Sequence, residues 1–289
     1  MVHVVNRSAA LAVVVVLVSG ACAPGPGTTP PPADALTEQA VDLVTDSGAQ
    51  PARRLFTTAA EEEVTRRCMA ALGETYRPYV PPLAAGDDEH RLVDLPKRRS
   101  RGYEFTSPVN PPSVGPDAKR PAFQKALFGD GSRDLGLTLP DASVVSFPSS
   151  GCVAQGRAAV YTDVVRWARV DSIPQVIGNR LRDQVSGSPE LAAATRRWAS
   201  CMRSKGLPYA RPAAAREAAG VPAREVTIAV ADGECDLQAH LTGTELALRR
   251  QAATRLPAAD RRELNDLAST ACTAAKEAAH ILIRPVPTC

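Results

Sequence analysis

Residues 68–76 read CMAALGETY and residues 201–209 read CMRSKGLPY, and both segments fit the pattern Cys-Met-x3-Gly-x2-Tyr. An Arg-Arg pair stands shortly upstream of each segment, at residues 66–67 and 196–197. Agreement at fixed spacing indicates an internal duplication. In each copy the Cys falls in the last turns of a predicted helix. Gly73 or Gly206 ends that helix, because glycine accepts a left-handed backbone at little cost, and the Met and Tyr should pack beside the Cys.

The cysteines point to disulfides. Apart from Cys22 they are Cys68, Cys152, Cys201, Cys235, Cys272 and Cys289. No two of them are spaced as CxxC, which argues against a thioredoxin-like redox site and against the paired ligands typical of zinc sites. An even set in an exported chain predicts three disulfides.

The duplication selects a pairing that spacing alone leaves open. One further cysteine follows each copy of the motif, so each motif Cys is expected to bind the cysteine that follows it. Basic neighbours of Cys201 would favour a reactive thiolate, but no His lies close in sequence to act as a base, and we interpret Cys201 as structural. The predicted bridges are Cys68–Cys152, Cys201–Cys235 and Cys272–Cys289.

The N-terminus has the features of an export signal. An apolar run from Ala9 to Val18 follows Arg7, and it is about half as long as a membrane-spanning helix. Small residues then lead into Cys22, an arrangement that resembles a bacterial lipobox, although Ser19 stands where an aliphatic residue is usual. We therefore predict residues 1–21 to be a signal peptide and Cys22 to carry a lipid anchor. Ordinary cleavage after Ala21, which would leave a secreted protein, stays open as the alternative.

The rest of the chain divides by composition. Residues 22–34 are rich in Pro and hold no large apolar side chain, which predicts an extended spacer. Residues 35–186 are expected to form a first helical repeat, and many prolines mark a long loop at 78–121 inserted in it. Residues 187–289 would form a second repeat with a C-terminal helix.

Helix signals dominate the folded part. Thr58 can cap a helix that carries Glu61, Glu62 and Glu63 in its first turn, where acids suit the helix dipole. The sequence indicates further helices over 153–167 after Cys152, from Ser188 to Gly206, from a Thr242/Glu245 capping box to Leu256, and from Asp260 onward. Residues 225–230 alternate like a strand, but they run into a helix-like segment that ends at residue 240, and helix is the favoured interpretation. Residues 135–140 and 143–147 predict a small β-hairpin. The predicted fold is mainly α: disulfide-braced helical domains built on a duplication, with a long Pro-rich loop and this hairpin.

One stretch of the long loop is a candidate contact surface. It combines basic and aromatic side chains: Lys97, Arg98, Arg99, Arg101, Tyr103 and Phe105. These groups could contact an anionic polymer or lipid, whereas a solvated loop with no partner is the plainer alternative. The acidic run at 87–90 lacks the spaced oxygen ligands of a calcium loop, so no metal site is predicted.

Nothing in the chain has the spacing of a catalytic motif. HExxH, GxSxG, SxxK and Walker patterns are all missing from the sequence, and we predict neither catalytic residues nor a cofactor. The formal net charge of +3 is close to balance, which argues against nucleic-acid binding.

The paired motifs also carry a resemblance to a family. Together with ALFG at 126–129, GC at 151–152 and AVADxxC at 229–235, they resemble exported actinobacterial lipoproteins of uncharacterised function. The likeness spans roughly residues 60–250. It implies an envelope location and bridged cysteines, and it carries over no catalytic residue.

Together these features predict a protein on the outer face of the cell membrane, held there by the lipid on Cys22. Its expected role is structural or partner-binding, toward an envelope protein or a cell-wall polymer. The alternative is a hydrolase-like envelope enzyme whose site is assembled from residues distant in sequence. A cleft that gathers carboxylates, or a His with a Ser, would favour the enzyme.

Overall fold

A computed structural model of the chain describes residues 35–80, 93–104, 119–132, 134–220 and 222–289. The described residues form a mainly helical fold with a two-stranded hairpin, as the sequence predicts. In chain order the elements are α1 (Glu38–Thr45), α2 (Gln50–Ala71), α3 (Leu95–Arg101), α4 (Pro121–Phe128), β1 (Leu135–Thr138), β2 (Val144–Phe147), α5 (Gly151–Tyr161), α6 (Val164–Ser186), α7 (Pro189–Ser204), α8 (Pro212–Ala219), α9 (Pro222–Ala239), α10 (Leu241–Ala253) and α11 (Ala258–Leu282).

Several predictions fall on residues outside the described part. They concern the signal peptide 1–21, the spacer 22–34 with Cys22, the acidic run 87–90 and Phe105. Within the described residues, no helix combines the length and the apolar character that crossing a bilayer requires.

One predicted helix start is confirmed. The Ser188 hydroxyl accepts a hydrogen bond from the backbone N–H of Leu191 at 3.3 Å, so α7 begins as predicted. The predicted starts of two other helices are wrong. Helix α2 begins at Gln50 with Pro51 in its first turn, which places Thr58 inside the helix. Helix α10 begins at Leu241, one residue before the predicted cap.

The single helix predicted after Cys152 is in fact two. Thr162 has a φ of +75°, which interrupts the helix after α5. The carboxylate of Asp163 then accepts hydrogen bonds from the N–H groups of Val165 and Arg166, both at 2.8 Å, and caps α6. A local capping side chain therefore outweighs the continuous apolar pattern.

The predicted repeats 35–186 and 187–289 share one core. The described residues of the globular part belong to one compact unit. Side chains of α10 and α11, such as Ala253, Leu264 and Leu267, are buried against α1, α2, α5 and α6. A second core joins α7, α8 and α9, and a smaller one lies between α2, α4 and α5.

Two disulfides brace these layers in the predicted pairing. Cys68–Cys152 joins the end of α2 to the start of α5, and Cys201–Cys235 joins α7 to α9. Both motifs place a Met in the core beside the bridge, with a partly buried Tyr packed next to it.

The two motifs also end their helices in the same way. Gly73 and Gly206 have φ values of +76° and +75°. The next N–H in each copy donates to the carbonyl of the motif Met, Glu74 to Met69 at 2.9 Å and Leu207 to Met202 at 3.0 Å. This is the Schellman arrangement, so the repeated sequence folds into a repeated helix end.

The third predicted disulfide is not formed. Cys272 on α11 and Cys289 at the C-terminus are free thiols. Burial and a hydrogen bond to Cys289 raise the pKa of Cys272 to about 11. The C-terminal tail is held nearby, because the guanidinium of Arg53 donates to the carbonyl of Thr288 at 2.9 Å. The two sulfurs are therefore neighbours without being bonded.

Candidate functional site

The predicted contact residues Arg98 and Tyr103 lie in the interior. Their exposed fractions are 3% and 2%. The Arg98 guanidinium contacts the Asp232 carboxylate on α9 at 2.6 Å, and the Tyr103 hydroxyl donates to the same oxygen at 2.6 Å. Trp198 donates its indole N–H to the other oxygen at 2.8 Å. The prediction of a surface role is wrong for these two side chains, because they satisfy a buried carboxylate.

The remaining cations of that stretch are paired with acids. Lys97 and Arg101 contact Glu104 at 3.4 and 3.2 Å, and Arg99 contacts Glu234 at 3.3 Å. Exposed pairs of this kind contribute little stability, but they neutralise the basic cluster. Helix α3 thus serves mainly to pack against α9, and the candidate site lies elsewhere.

A polar cleft opens between α2 and α6, closed at one end by the C-terminus of α1. Its volume is about 370 Å³, within the range of small-molecule sites. The side chains that give it its chemical character are charged, amide, hydroxyl and aromatic. They are Asp46, Arg53, Arg54, Thr57, Glu61, Tyr161, Trp167, Asp171, Gln175, Asn179, Arg182 and Arg249.

Two glycines bring the walls of the cleft together. A Cβ at Gly156 would lie 2.6 Å from the carbonyl oxygen of Glu61, so α5 can approach α2 only with Gly at this position. A Cβ at Gly178 would lie 2.6 Å from the carbonyl oxygen of Val44, which sets the contact of α6 with α1 in the same way. Pro174, inside α6, lines the cleft and cannot donate a helical hydrogen bond.

Glu61 is the most perturbed acid of the cleft. Its carboxylate makes no hydrogen bond or ion pair with a described residue, whereas its neighbours do. Glu62 accepts from the Tyr76 hydroxyl at 2.8 Å, and Glu63 pairs with Arg66 at 2.7 Å. Burial raises the pKa of Glu61 to about 8, against the opposing effect of Arg157. The carboxyl group is therefore mostly protonated at neutral pH and faces the cleft.

Asp171 on α6 is a second acid of the cleft that forms no ion pair with a described residue, although the Ser172 side chain donates a hydrogen bond to it. Burial raises its pKa, and the charge of Arg157 opposes the rise. The Arg157 guanidinium does not form an ion pair with either acid; it lies 3.4 Å from the centre of the Trp167 ring, a cation–π contact. Phe147 packs against the same indole with ring centres 6.1 Å apart. Arg157 is thus held in place by aromatic packing.

The cations that line the cleft are engaged by other protein groups. Arg54 contacts Asp46 at 3.0 Å. Arg53 donates to the side-chain oxygen of Gln50 and to the tail carbonyl of Thr288. The buried Arg249 donates to the carbonyl of Thr45 at the end of α1. The cleft therefore offers carboxyl groups to a ligand more readily than it offers cations.

A second cavity of about 620 Å³ lies between α6, α7, α8, α9 and α10. Its acids are already satisfied, Asp232 by the contacts above and Asp236 by the backbone N–H and the hydroxyl of Thr242. The α2–α6 cleft is the better candidate, since its Glu61 carboxyl group has no such partner among the described residues and its Asp171 forms no ion pair.

None of the contact residues predicted from the sequence that the structure describes lines this cleft. Glu61 was expected to serve as one of three acids in a first helical turn, whereas it lies in the middle of α2. Glu62 and Glu63 each have a polar partner, Tyr76 and Arg66. Glu61 is the acid of this run that has none among the described residues, and this difference was the usable signal. His240 and His280 are both exposed and lie outside the cleft.

Within the described part of the chain, no group of three or more His, Cys, Asp and Glu side chains is placed to hold a metal ion. Comparison of the chain with protein-family models, with curated proteins and with solved structures gave no match. The site is therefore interpreted from its own geometry.

Proposed function

We propose that this chain is an exported envelope protein, tethered through a lipid on Cys22, that binds a small polar ligand in the α2–α6 cleft. The observation that carries the binding role is the Glu61 carboxyl group, which is partly buried in the cleft wall and bonded to no described residue. A carboxyl group that has lost much of its solvation and has no partner in exchange costs stability. Such a cost is typical of groups that contact a ligand.

The export part rests on the N-terminal sequence and on the cysteines. Two long-range disulfides brace the described domain, and such bridges persist in oxidising compartments. The Pro-rich spacer 22–34 would hold the domain away from the membrane. The resemblance to exported actinobacterial lipoproteins supports the same location.

The binding part is tested by NMR on the two tryptophans of the chain. Trp167 lines the cleft, whereas Trp198 is fully buried in the second core and donates to Asp232. We expect soluble fragments from digested cell wall to shift the Trp167 indole signal and to leave the Trp198 signal in place. Equal shifts of both signals, or none at saturating fragment concentration, would contradict binding in the cleft.

A hydrolytic enzyme is the second candidate, and the pair of carboxyl groups favours it. A glutamic acid that stays protonated at neutral pH can act as a general acid, with a nearby carboxylate as its partner. Glu61 and Asp171 would take these roles. Incubation with purified cell wall, followed by mass analysis of released products, separates the two functions. Product release that Glu61→Gln abolishes would assign an enzyme; a bound but unchanged fragment would assign a binding protein.

A further inference from the structure

Arginines at the α2–α6 cleft are held by protein groups, such as an acid or an aromatic ring, whereas two of its acids form no ion pair with a described residue. Among the described residues, Glu61 and Asp171 contact no arginine within ion-pair distance, although Arg157 is close enough to influence the pKa of both. Arg54 is paired with Asp46, and Arg157 is held over Trp167. A positive charge that entered the cleft would meet two carboxyl groups with no protein cation in contact with them.

We propose that the ligand of this cleft carries a cationic amino or guanidino group, which binds between Glu61 and Asp171. This inference rests on the proposed binding function, because it takes the cleft as the ligand site. A cation supplies the ion pair that both carboxyl groups lack and a hydrogen-bond donor for Glu61, since Asp171 already accepts a hydrogen bond from Ser172. The rest of the ligand can use neutral groups of the cleft wall, such as the Gln175 and Asn179 amides.

Binding of a cation should be linked to loss of a proton. Glu61 has a pKa of about 8, so the free protein holds its proton at neutral pH. A bound cation favours the ionised form, and the proton then leaves to solvent. The charged and titratable groups that face Glu61 are Arg54 and Glu62 on α2, Arg157 and Tyr161 on α5, and Asp171 on α6. Arg157 assists ionisation, whereas Asp171 and Glu62 oppose it.

The test uses three five-carbon probes that differ in charge: cadaverine as the dication, pentanediol as the neutral control and glutarate as the dianion. Binding is followed by calorimetry and by the Trp167 indole signal. We expect cadaverine alone to bind, with an affinity that rises at least about tenfold from pH 6 to pH 8.5 as the competent ionised fraction grows. At pH 7.5 the heat should depend on the buffer, since a proton is released.

Matched variants assign the effect to the two carboxyl groups. Glu61→Gln should lower cadaverine affinity at least about tenfold and abolish both the pH dependence and the proton release. Asp171→Asn should lower the affinity and keep the pH dependence. Glu277→Gln removes an exposed acid on α11 and should change neither the cadaverine affinity nor its pH dependence.

The outcomes separate this inference from the proposed function. If cell-wall fragments, pentanediol or glutarate shift the Trp167 signal and cadaverine does not, the cation inference is wrong and binding in the cleft stands. If no fragment and no probe shifts that signal, both are wrong. Cadaverine binding that Glu61→Gln leaves unchanged also overturns the inference.

Discussion

Replacing Glu61 with Gln removes a carboxyl group that the folded protein holds in its protonated form. The pKa of Glu61 rises from 4.5 to about 8 on folding. Ionising this carboxyl group therefore costs about 5 kcal/mol more in the folded protein than in the unfolded one, because one pKa unit corresponds to about 1.4 kcal/mol. The folded pKa lies above the unfolded one, so the stabilisation is complete below pH 4.5. It is lost as the pH rises through 8. About 4 kcal/mol of the loss falls between pH 5 and pH 9.

Urea denaturation at pH 5 and pH 9 measures this loss. The free energy of unfolding of the wild type should fall between these pH values by about 4 kcal/mol more than that of Glu61→Gln. Asp171 also has a raised pKa because of its burial and is present in both proteins, so the comparison isolates Glu61 together with its coupling to Asp171. Glu277→Gln, an exposed change on α11, should follow the wild type. Parallel pH profiles for the wild type and Glu61→Gln would refute the reasoning.

Three further predictions concern the scaffold and the tether. Asp232→Ala leaves the buried Arg98 without its carboxylate and should lower the free energy of unfolding by about 3–5 kcal/mol. Arg99→Ala, one helix position further on, breaks only an exposed pair and should cost under about 1 kcal/mol; equal losses would contradict the buried network. Removing the Cys201–Cys235 bridge, with its sequence separation of 34, should cost about 4 kcal/mol by the chain-entropy model. Urea denaturation of the double Ser variant measures this cost, and an unchanged midpoint would argue against a bridge that braces the domain. Finally, Cys22→Ser should move the mature protein from the detergent phase to the aqueous phase, and unchanged partitioning would refute the lipid anchor.

The bridges could be predicted because they depend on a local pattern that the chain repeats. Each Cys-Met-x3-Gly-x2-Tyr copy ends a helix at its Gly and places its Cys on the last turns, so the following cysteine is the natural partner. The sharing of one core could not be predicted in this way. The packing of α10 and α11 against α1 and α2 depends on small side chains, such as Ala253 and Ala271. Their spacing predicts a buried helix face but does not indicate which helix packs against it.

The cleft was missed for a related reason. Glu61 meets Arg157 and Asp171 only after α5 and α6 return to α2, roughly a hundred residues later in the chain. The basic stretch around Arg98 was predicted to be a contact surface, because charged residues usually lie on the surface, whereas Arg98 itself is buried. Its burial depends on Asp232, more than a hundred residues away, which no local pattern indicates.

The central claim is that Glu61 is protonated in the free protein and ionises when a cationic ligand binds in the cleft. Titration of its carboxyl group tests this claim most directly. Carbon-13 NMR of glutamate-labelled protein, assigned with Glu61→Gln, follows the group with and without cadaverine. We predict a midpoint near pH 8 in the free protein, and a clear fall on addition of cadaverine. A midpoint near the ordinary value of 4.5, unchanged by cadaverine, would contradict the account.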